Sequence, residues 1–310
     1  MAFSPITDLV NWRLSSRVPR LHTMRDAPLA AQEHVFHELM TAAAMTDYGK
    51  AHGLTATTTY AEFAAAVPIV NYDKLYPWIE RSMRGEANVL WPGVTKWFAK
   101  SSGTTAAKSK FIPVSNESLE DNHFKVGRDL LAFYAEQVPD SQLYDGLSLR
   151  LGGSSKINEL NEHSYYGDLS AIMIDNLPMW ASWRSTPSHD VALMDEWEAK
   201  IEKIAQQVAR QNITSLFGVP SWMLVLLRRV LEIRGETTLE AVWPNLELFV
   251  HGGVAYTPYE ASFAAILPAA TRRLETYNAS EGFFAVQDAL DADGMLLMLE
   301  HGIFYEFIPV

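Results

Sequence analysis

The chain has 310 residues, 48% of them hydrophobic and 20% charged, with a net charge of -12. This supports a well-buried core in one large domain or two ordinary ones, and excludes a disordered chain. The acidic balance excludes a general nucleic-acid or anionic-membrane surface but leaves room for a local basic pocket. The absence of cysteine excludes disulfides, thiolate nucleophiles and Cys-ligated zinc.

The N-terminus "MAFSPITDLVNWRLSSRVPR" lacks a basic start followed by an apolar core, so no signal peptide is read there. "PLAAQEHVFHELMTAAAM" places Val35, Leu39, Met40 and Ala43 at helical spacing. In "TTTYAEFAAAVPIV", Thr59 caps a helix ahead of Glu62 and Pro68 ends it. "DKLYPWIERSMRGE" reads as a further short amphipathic helix. "KWFAK" and "KFIPV" are strand candidates flanking "SSGTTAAKS". After Ser115, which caps the next turn, Leu119, Val126, Leu130 and Phe133 share one helix face.

"DGLSLRLGGSS" reads as a strand into a small-residue turn, and "EHSYYGD" as a polar aromatic loop. One long helix is predicted around "VALMDEWEAKIEKIAQQVARQN", with Met194, Trp197, Ile201, Ile204 and Val208 as its buried stripe and Asn212 as its stop. "ITSLFGVP" is a strand and "SWMLVLLRRVLEIRGE" a helix with a basic end. "LELFVHGG" is a strand into a Gly-Gly turn, and "TPYEASFAAILP" a helix with proline near its start. "RRLETYNASEGFFAVQD" carries two strands around a polar turn. "DADG" turns into "MLLMLE", and "IFYEFIPV" reads as a final strand. The interleaving of strands and helices makes the class α/β. The longest apolar run, "SLFGVPSWMLVLL", is broken by Gly218 and Pro220 and too short to span a bilayer, so a soluble, cytoplasmic protein is expected.

Four stretches invite chemistry. In the loop after "KWFAK", Ser101, Ser102, Thr104 and Thr105 offer hydroxyls, and Gly103 permits close backbone approach. Lys108 and Lys110 supply charge at the exit. The Walker spacing is absent and a strand follows, so a P-loop is excluded; composition leaves a phosphate loop and a polar hairpin loop equally open. "ETYNASEGFF" sets Tyr277, Ser280 and Glu281 in a turn, where a hydroxyl suits a phosphate and a carboxylate suits Mg2+; local capping is the other reading. "HGG" ends a strand at Gly252 and Gly253, which admits a flat ligand or simply a tight turn. "FGVPSW" lacks the G-x-S-x-G elbow of serine hydrolases. His34 and His37 lie one turn apart with no third ligand evident, as on a solvated helix face.

Taken in order, "SSGTTAAKSKFIP", "FGVPSW", "HGG" and "YNASEG" resemble the motifs of the Gretchen Hagen, or auxin-responsive, family of acyl acid amido synthetases. This is a branch of the adenylate-forming enzymes, and the resemblance runs over essentially the whole chain. It implies a large N-terminal adenylation domain covering 1–310, with mixed β-sheets flanked by helices and without the C-terminal lid domain. It implies ATP and Mg2+ as cofactors, and a small carboxylic acid and an amino acid as substrates, joined as an amide through an acyl adenylate. By family match, Ser101, Ser102, Gly103, Thr104 and Thr105 form the loop over the β- and γ-phosphates, with Lys110 as the motif lysine. Tyr277 is assigned to adenine, Ser280 to the α-phosphate and Glu281 to Mg2+. Gly252 and Gly253 would border the adenine, and Phe217, Val219 and Trp222 the acyl pocket. Ala107 stands where the family often has a second glycine. The Tyr-Arg-x-Gly-Asp type motif that holds the ribose has no counterpart, so residues 1–310 alone are expected to be inactive. An acyl-CoA ligase of the same superfamily, or a nucleotide- or acyl-binding module without catalysis, is the alternative.

Overall fold

The computed structural model describes residues 5–101, 109–153 and 157–308. The chain opens with α1 (Pro5–Ser15), α2 (Val18–Asp26), α3 (Pro28–Ala43), α4 (Asp47–Ala51), α5 (Tyr60–Ala66) and α6 (Tyr72–Met83). Side-chain caps set some of these boundaries. Thr59 and Glu62 form a reciprocal capping box at α5, and Asn71 accepts from the Lys74 N–H at α6. Strands β1 (Trp97–Ser101) and β2 (Lys110–Val114) follow, then a wide π-type turn (Ser118–Phe124) that runs into α7 (Lys125–Gln137). Next come β3 (Leu147–Leu151), β4 (Asn158–Asn161), β5 (Ser164–Gly167), α8 (Leu169–Asp175), α9 (Met179–Ser182), β6 (Ser185–Thr186) and α10 (His189–Ala192). The last part holds α11 (Trp197–Val208), β7 (Ile213–Gly218), α12 (Pro220–Arg234), β8 (Leu248–Gly252), α13 (Glu260–Ala264), β9 (Arg272–Ala279), β10 (Gly282–Val286) and β11 (Leu296–Leu297).

Two mixed sheets result. The larger has the order β11-β10-β9-β8-β7-β3-β6, with β6, β3, β7, β8 and β9 parallel and β10 and β11 antiparallel. The smaller has the order β2-β1-β5-β4. Helices cover both faces of the larger sheet. On one face, α11 and α12 bring Ile204, Val208, Leu226 and Leu227 against Leu149, Leu216 and Phe249. On the other, α1, α2 and α7 bring Leu14, Met24, Leu130 and Phe133 against Leu248, Val250 and Leu274. The two-residue period of strands makes this division: Phe249 faces one layer, Leu248 and Val250 the other. Among the described residues, no helix is long and apolar enough to cross a membrane.

The α/β class and most elements match the sequence expectation, with four differences. "EHSYYGD" is not a loop: Ser164–Gly167 is β5, which pairs antiparallel with β4 and parallel with β1. The long helix is two, because the chain leaves helical geometry between Ala192 and Trp197, so Met194 lies outside α11. The helix after Ser115 starts as a π-type turn, although Ser115 Oγ does accept from the Ser118 N–H. The final strand is absent from residues 303–308. Instead, the Tyr305 N–H donates to Gln32 at 2.7 Å and Phe304 packs 4.9 Å from the Phe36 ring, so that α3 holds this segment.

Candidate functional site

A cavity of about 670 Å³ lies where the carboxyl ends of β3, β7 and β8 face β1, α7 and α8. Parallel strands leave this end open for ligands, because the crossover helices cover the faces and not the edges. Its mouth is made by strand ends. Gly252 lies so close to β9 that an added Cβ would stand 2.3 Å from the Thr276 carbonyl oxygen. Gly253 then turns the chain with φ of +82°.

The mouth is polar. Thr276, Asn278 and Ser280 line it from β9 and the turn beyond, with Lys100 and Ser101 at the end of β1. His123 and His251 line it too. Nδ1 of His251 is buried without a hydrogen-bond partner among the described residues, and both ring nitrogens of His123 and Oδ1 of Asn278 are buried without a well-aligned one, the Asn278 side chain lying near the His123 ring. Burial pushes His123 down to about 4, with the Asn278 amide opposing part of the shift. Burial, with nearby Arg273 adding, pushes His251 down to about 4 as well. Both rings are therefore neutral near pH 7, able to donate and accept hydrogen bonds but not to act as cations. Buried polar atoms are ordinarily satisfied, so these orphans suit a ligand rich in donors and acceptors. The π-type turn holds His123 in place. Its Asn122 side chain accepts from the Phe283 N–H at 2.7 Å and donates to the carbonyls of Phe283 (3.1 Å) and His301 (2.9 Å).

Below the mouth the chamber is apolar, lined by Leu131, Met173, Ile174, Leu177, Phe217 and Trp222. Trp222 is held edge-on against Trp197, their ring centroids 5.5 Å apart. Two cations break this apolar surface. Arg128 of α7 and Arg150 of β3 both line it, and the Nε of each is buried without a partner. Neither forms an ion pair with a described carboxylate. Burial pushes Arg150 down to about 10, which leaves it charged at neutral pH.

Of the residues singled out from sequence, Ser101, Gly252, Gly253, Ser280, Phe217, Val219 and Trp222 all line this cavity. Ser102, Gly103, Thr104 and Thr105 lie outside the described residues. Lys110 pairs across from Ser101 at the loop end of the β1–β2 hairpin, its Nζ 5.5 Å from the Tyr72 ring centroid, and is not part of the cavity lining. Tyr277 also lies off the lining: it alternates with Thr276 and Asn278 along β9, is 53% exposed and packs 5.1 Å from the Phe284 ring. Glu281 is exposed in the turn directly after Ser280. Among the described residues, no cluster of three or more His, Asp or Glu is placed to hold a metal ion. Sequence reasoning missed His123, Arg128, Arg150 and Asn278. For Arg150 the sequence carries no signal: the alternation of "LSLRL" is that of a strand with one solvated face.

Comparison with known proteins follows this geometry. A family model described as the GH3 family N-terminal domain matches residues 17–271. Indole-3-acetic acid-amido synthetase GH3.8 of Oryza sativa subsp. indica is 37% identical over 92 residues, which is 29% of this chain and 15% of that protein. Indole-3-acetic acid-amido synthetase GH3.17 of Arabidopsis thaliana is 34% identical over 122 residues, 38% of this chain and 19% of that protein. The solved structure of AtGH3.15 acyl acid amido synthetase in complex with 2,4-DB superposes with a TM-score of 0.71 at 14% identity, covering 93% of this chain and 58% of that one. The chain thus spans well under two thirds of the length of the relatives it matches. With the family model matching most of its length, the chain belongs to the GH3 family, of which it carries the N-terminal domain.

Proposed function

We propose that the protein activates a carboxylic acid with ATP and passes the acyl group to the amine of an amino acid. One observation carries this reading: Ser101, Ser280 and the Gly252–Gly253 turn border the same cavity as the apolar residues Phe217, Val219 and Trp222. Nucleotide and acid would then meet at a single point, as an in-line reaction between them requires. A carboxylate oxygen attacks the α-phosphorus and pyrophosphate leaves. The amine then attacks the acyl carbon, loses a proton, and AMP leaves as the amide forms.

Ser280 is assigned to the α-phosphate and Ser101, with the loop 102–105 and Lys110, to the outer phosphates. Gly252 and Gly253 are assigned to the edge of the adenine and Tyr277 to its packing. The orphaned atoms of His123, His251 and Asn278 fit a nucleotide's donors and acceptors. Glu281 is the carboxylate next to Ser280, and a single carboxylate with phosphate oxygens and water fits Mg2+. When bound, the ion would offset phosphate charge. The relatives' names, indole-3-acetic acid-amido synthetases, support an amino acid rather than a thiol as acceptor.

Titration of ATP into the chain is the test. ATP is expected to bind, and Ser280→Ala to weaken it about tenfold, in keeping with about 1.5–3 kcal/mol for a hydrogen bond to a charged group. Trp222→Ala is expected to weaken indole-3-acetate and leave ATP affinity within about twofold, since a remote chamber residue makes no nucleotide contact. Absence of ATP binding, or an unchanged Ser280→Ala variant, would refute the reading. The chain alone, which spans well under two thirds of its relatives' length, is expected to form no product; in a protein that carries it at the family's full length, product analysis with a panel of amino acids against coenzyme A should yield an amide and no thioester.

A further inference from the structure

We infer that Arg150 binds a second anionic group on the acid, so that the preferred substrate is a compact dicarboxylic acid rather than a plain monocarboxylic one. This rests on the chamber being the acid site. Arg150 is set at its floor. In the sheet it shares a rung with Phe217 and Val250, while Gly252 at the mouth lies two residues further along β8. At about 3.3 Å per residue, that is about 7 Å of depth. The Arg150 guanidinium centre stands 5.5 Å from the ring of Phe217, its rung neighbour. It also acts electrostatically on the hydroxyl of Tyr144, which precedes β3 at the closed end of the sheet. A carboxylate reacting beside Ser280 would sit about 7 Å or more above Arg150's rung, which leaves the cation for a group at the floor.

Among the described residues that cation has no ion-pair partner. Its Nε is buried and unbonded, and no described carboxylate lies within ion-pair distance. A ring face offers part of the compensation, but a cation left without an anion in apolar surroundings is destabilising. Ser148, which shares Arg150's face of β3, has a buried hydroxyl that is also without a partner. Arg128, five residues after His123, lines the same cavity, and its Nε too is buried without a partner among the described residues. A planar carboxylate accepts two parallel hydrogen bonds from a guanidinium, which makes it the fitting group. The depth from mouth to floor suits two carboxylates held apart by one aromatic ring or a short chain.

The probes are benzoate and benzene-1,4-dicarboxylate, titrated into the chain with and without ATP. The dicarboxylate is expected to bind about tenfold or more tightly than benzoate, the scale of a charge-assisted bond. Arg150→Met should erase that preference while its ATP affinity and melting behaviour show the fold intact, and Arg150→Lys should keep part of it. Equal affinity for the two acids in the unaltered chain overturns the inference, as does a preference that survives in Arg150→Met. The ATP titration separates this from the proposed function. A chain that binds no ATP but shows an Arg150-dependent dicarboxylate preference upholds the anion site and removes the ligase reading.

Discussion

Gly252 shows how little freedom the mouth of the cavity has. A Cβ there would meet not only the Thr276 carbonyl oxygen but also its hydroxyl at 2.6 Å. That hydroxyl already donates to the His251 carbonyl at 3.0 Å, locking β9 to β8 at this level. Alanine must therefore push the two strands apart where the nucleotide is proposed to sit. Gly252→Ala is expected to cost about 1–3 kcal/mol, as overpacking does, and to weaken ATP more than it weakens acid binding at the floor. Paired thermal melts and titrations would check this; an unchanged melt with unchanged ATP affinity would show that the strands tolerate the methyl group. Residues of this kind are legible in sequence, because glycine and hydroxyl residues between apolar runs mark a turn by their local chemistry alone. Arg150 is not. Alternating "LSLRL" looks like a strand with one wet face, and only the packing of α7 over that face turns its arginine into a cation inside an apolar chamber.

At the scale of elements, caps and turn residues make boundaries readable, and long-range pairing does not. The Thr59–Glu62 capping box is a local pattern, so α5 can be placed from sequence alone. Thr59→Ala should cost about 1 kcal/mol, seen as a small drop in the urea midpoint. The β4–β5 hairpin escapes notice because "NELNEHSYYGD" is polar, and its strand character comes from β1, some sixty residues earlier in the chain. The final segment fails in the opposite way. Its apolar residues look like a strand, but their partners are a helix surface and the Gln32 amide. The π-type turn is the element most tied to the site. Asn122 makes three buried bonds to β10 and residue 301, and the next residue is His123. Asn122→Ala leaves the Phe283 N–H and two carbonyls unsatisfied, and is expected to cost about 2–4 kcal/mol. It should also loosen ATP binding, because His123 loses its anchor. A urea midpoint that does not move would mean that the turn is held by its packing alone.

For the whole molecule, the strongest common feature of its buried charge is a sensitivity to acid. His123 (1% exposed), His251 (5%) and His301 (1%) are all buried. Burial holds His123 and His251 down to about 4. Burial also lowers His301, with its 2.8 Å bond to Asp129 offsetting part of the effect. Burial pushes the Asp129 carboxyl up, but His301 and Arg17 more than reverse that and hold it below its ordinary range. This network ties Arg17, just ahead of α2, and α7 to the segment after β11, and the two other histidines bring the mouth of the cavity into the same response. A histidine held neutral in the fold takes up its proton in the unfolded chain first. Its stabilising contribution is therefore full above pH 6.5 and is lost as pH falls toward its folded value. Asp129 extends the loss in the same direction, since its contribution is present above the unfolded carboxyl value of 3.8 and fades below it. Between pH 6.5 and 5, His123 and His251 should each withdraw up to about 2 kcal/mol. Urea unfolding at a series of pH values is expected to show a plateau near neutrality and a steep fall from pH 6.5 downward. His251→Phe keeps an aromatic ring against Tyr256 but removes one titrating group, so its profile should fall less steeply over that window. A His251→Phe profile parallel to that of the unaltered chain would show that this ring takes up its proton in the folded state as readily as in the unfolded one.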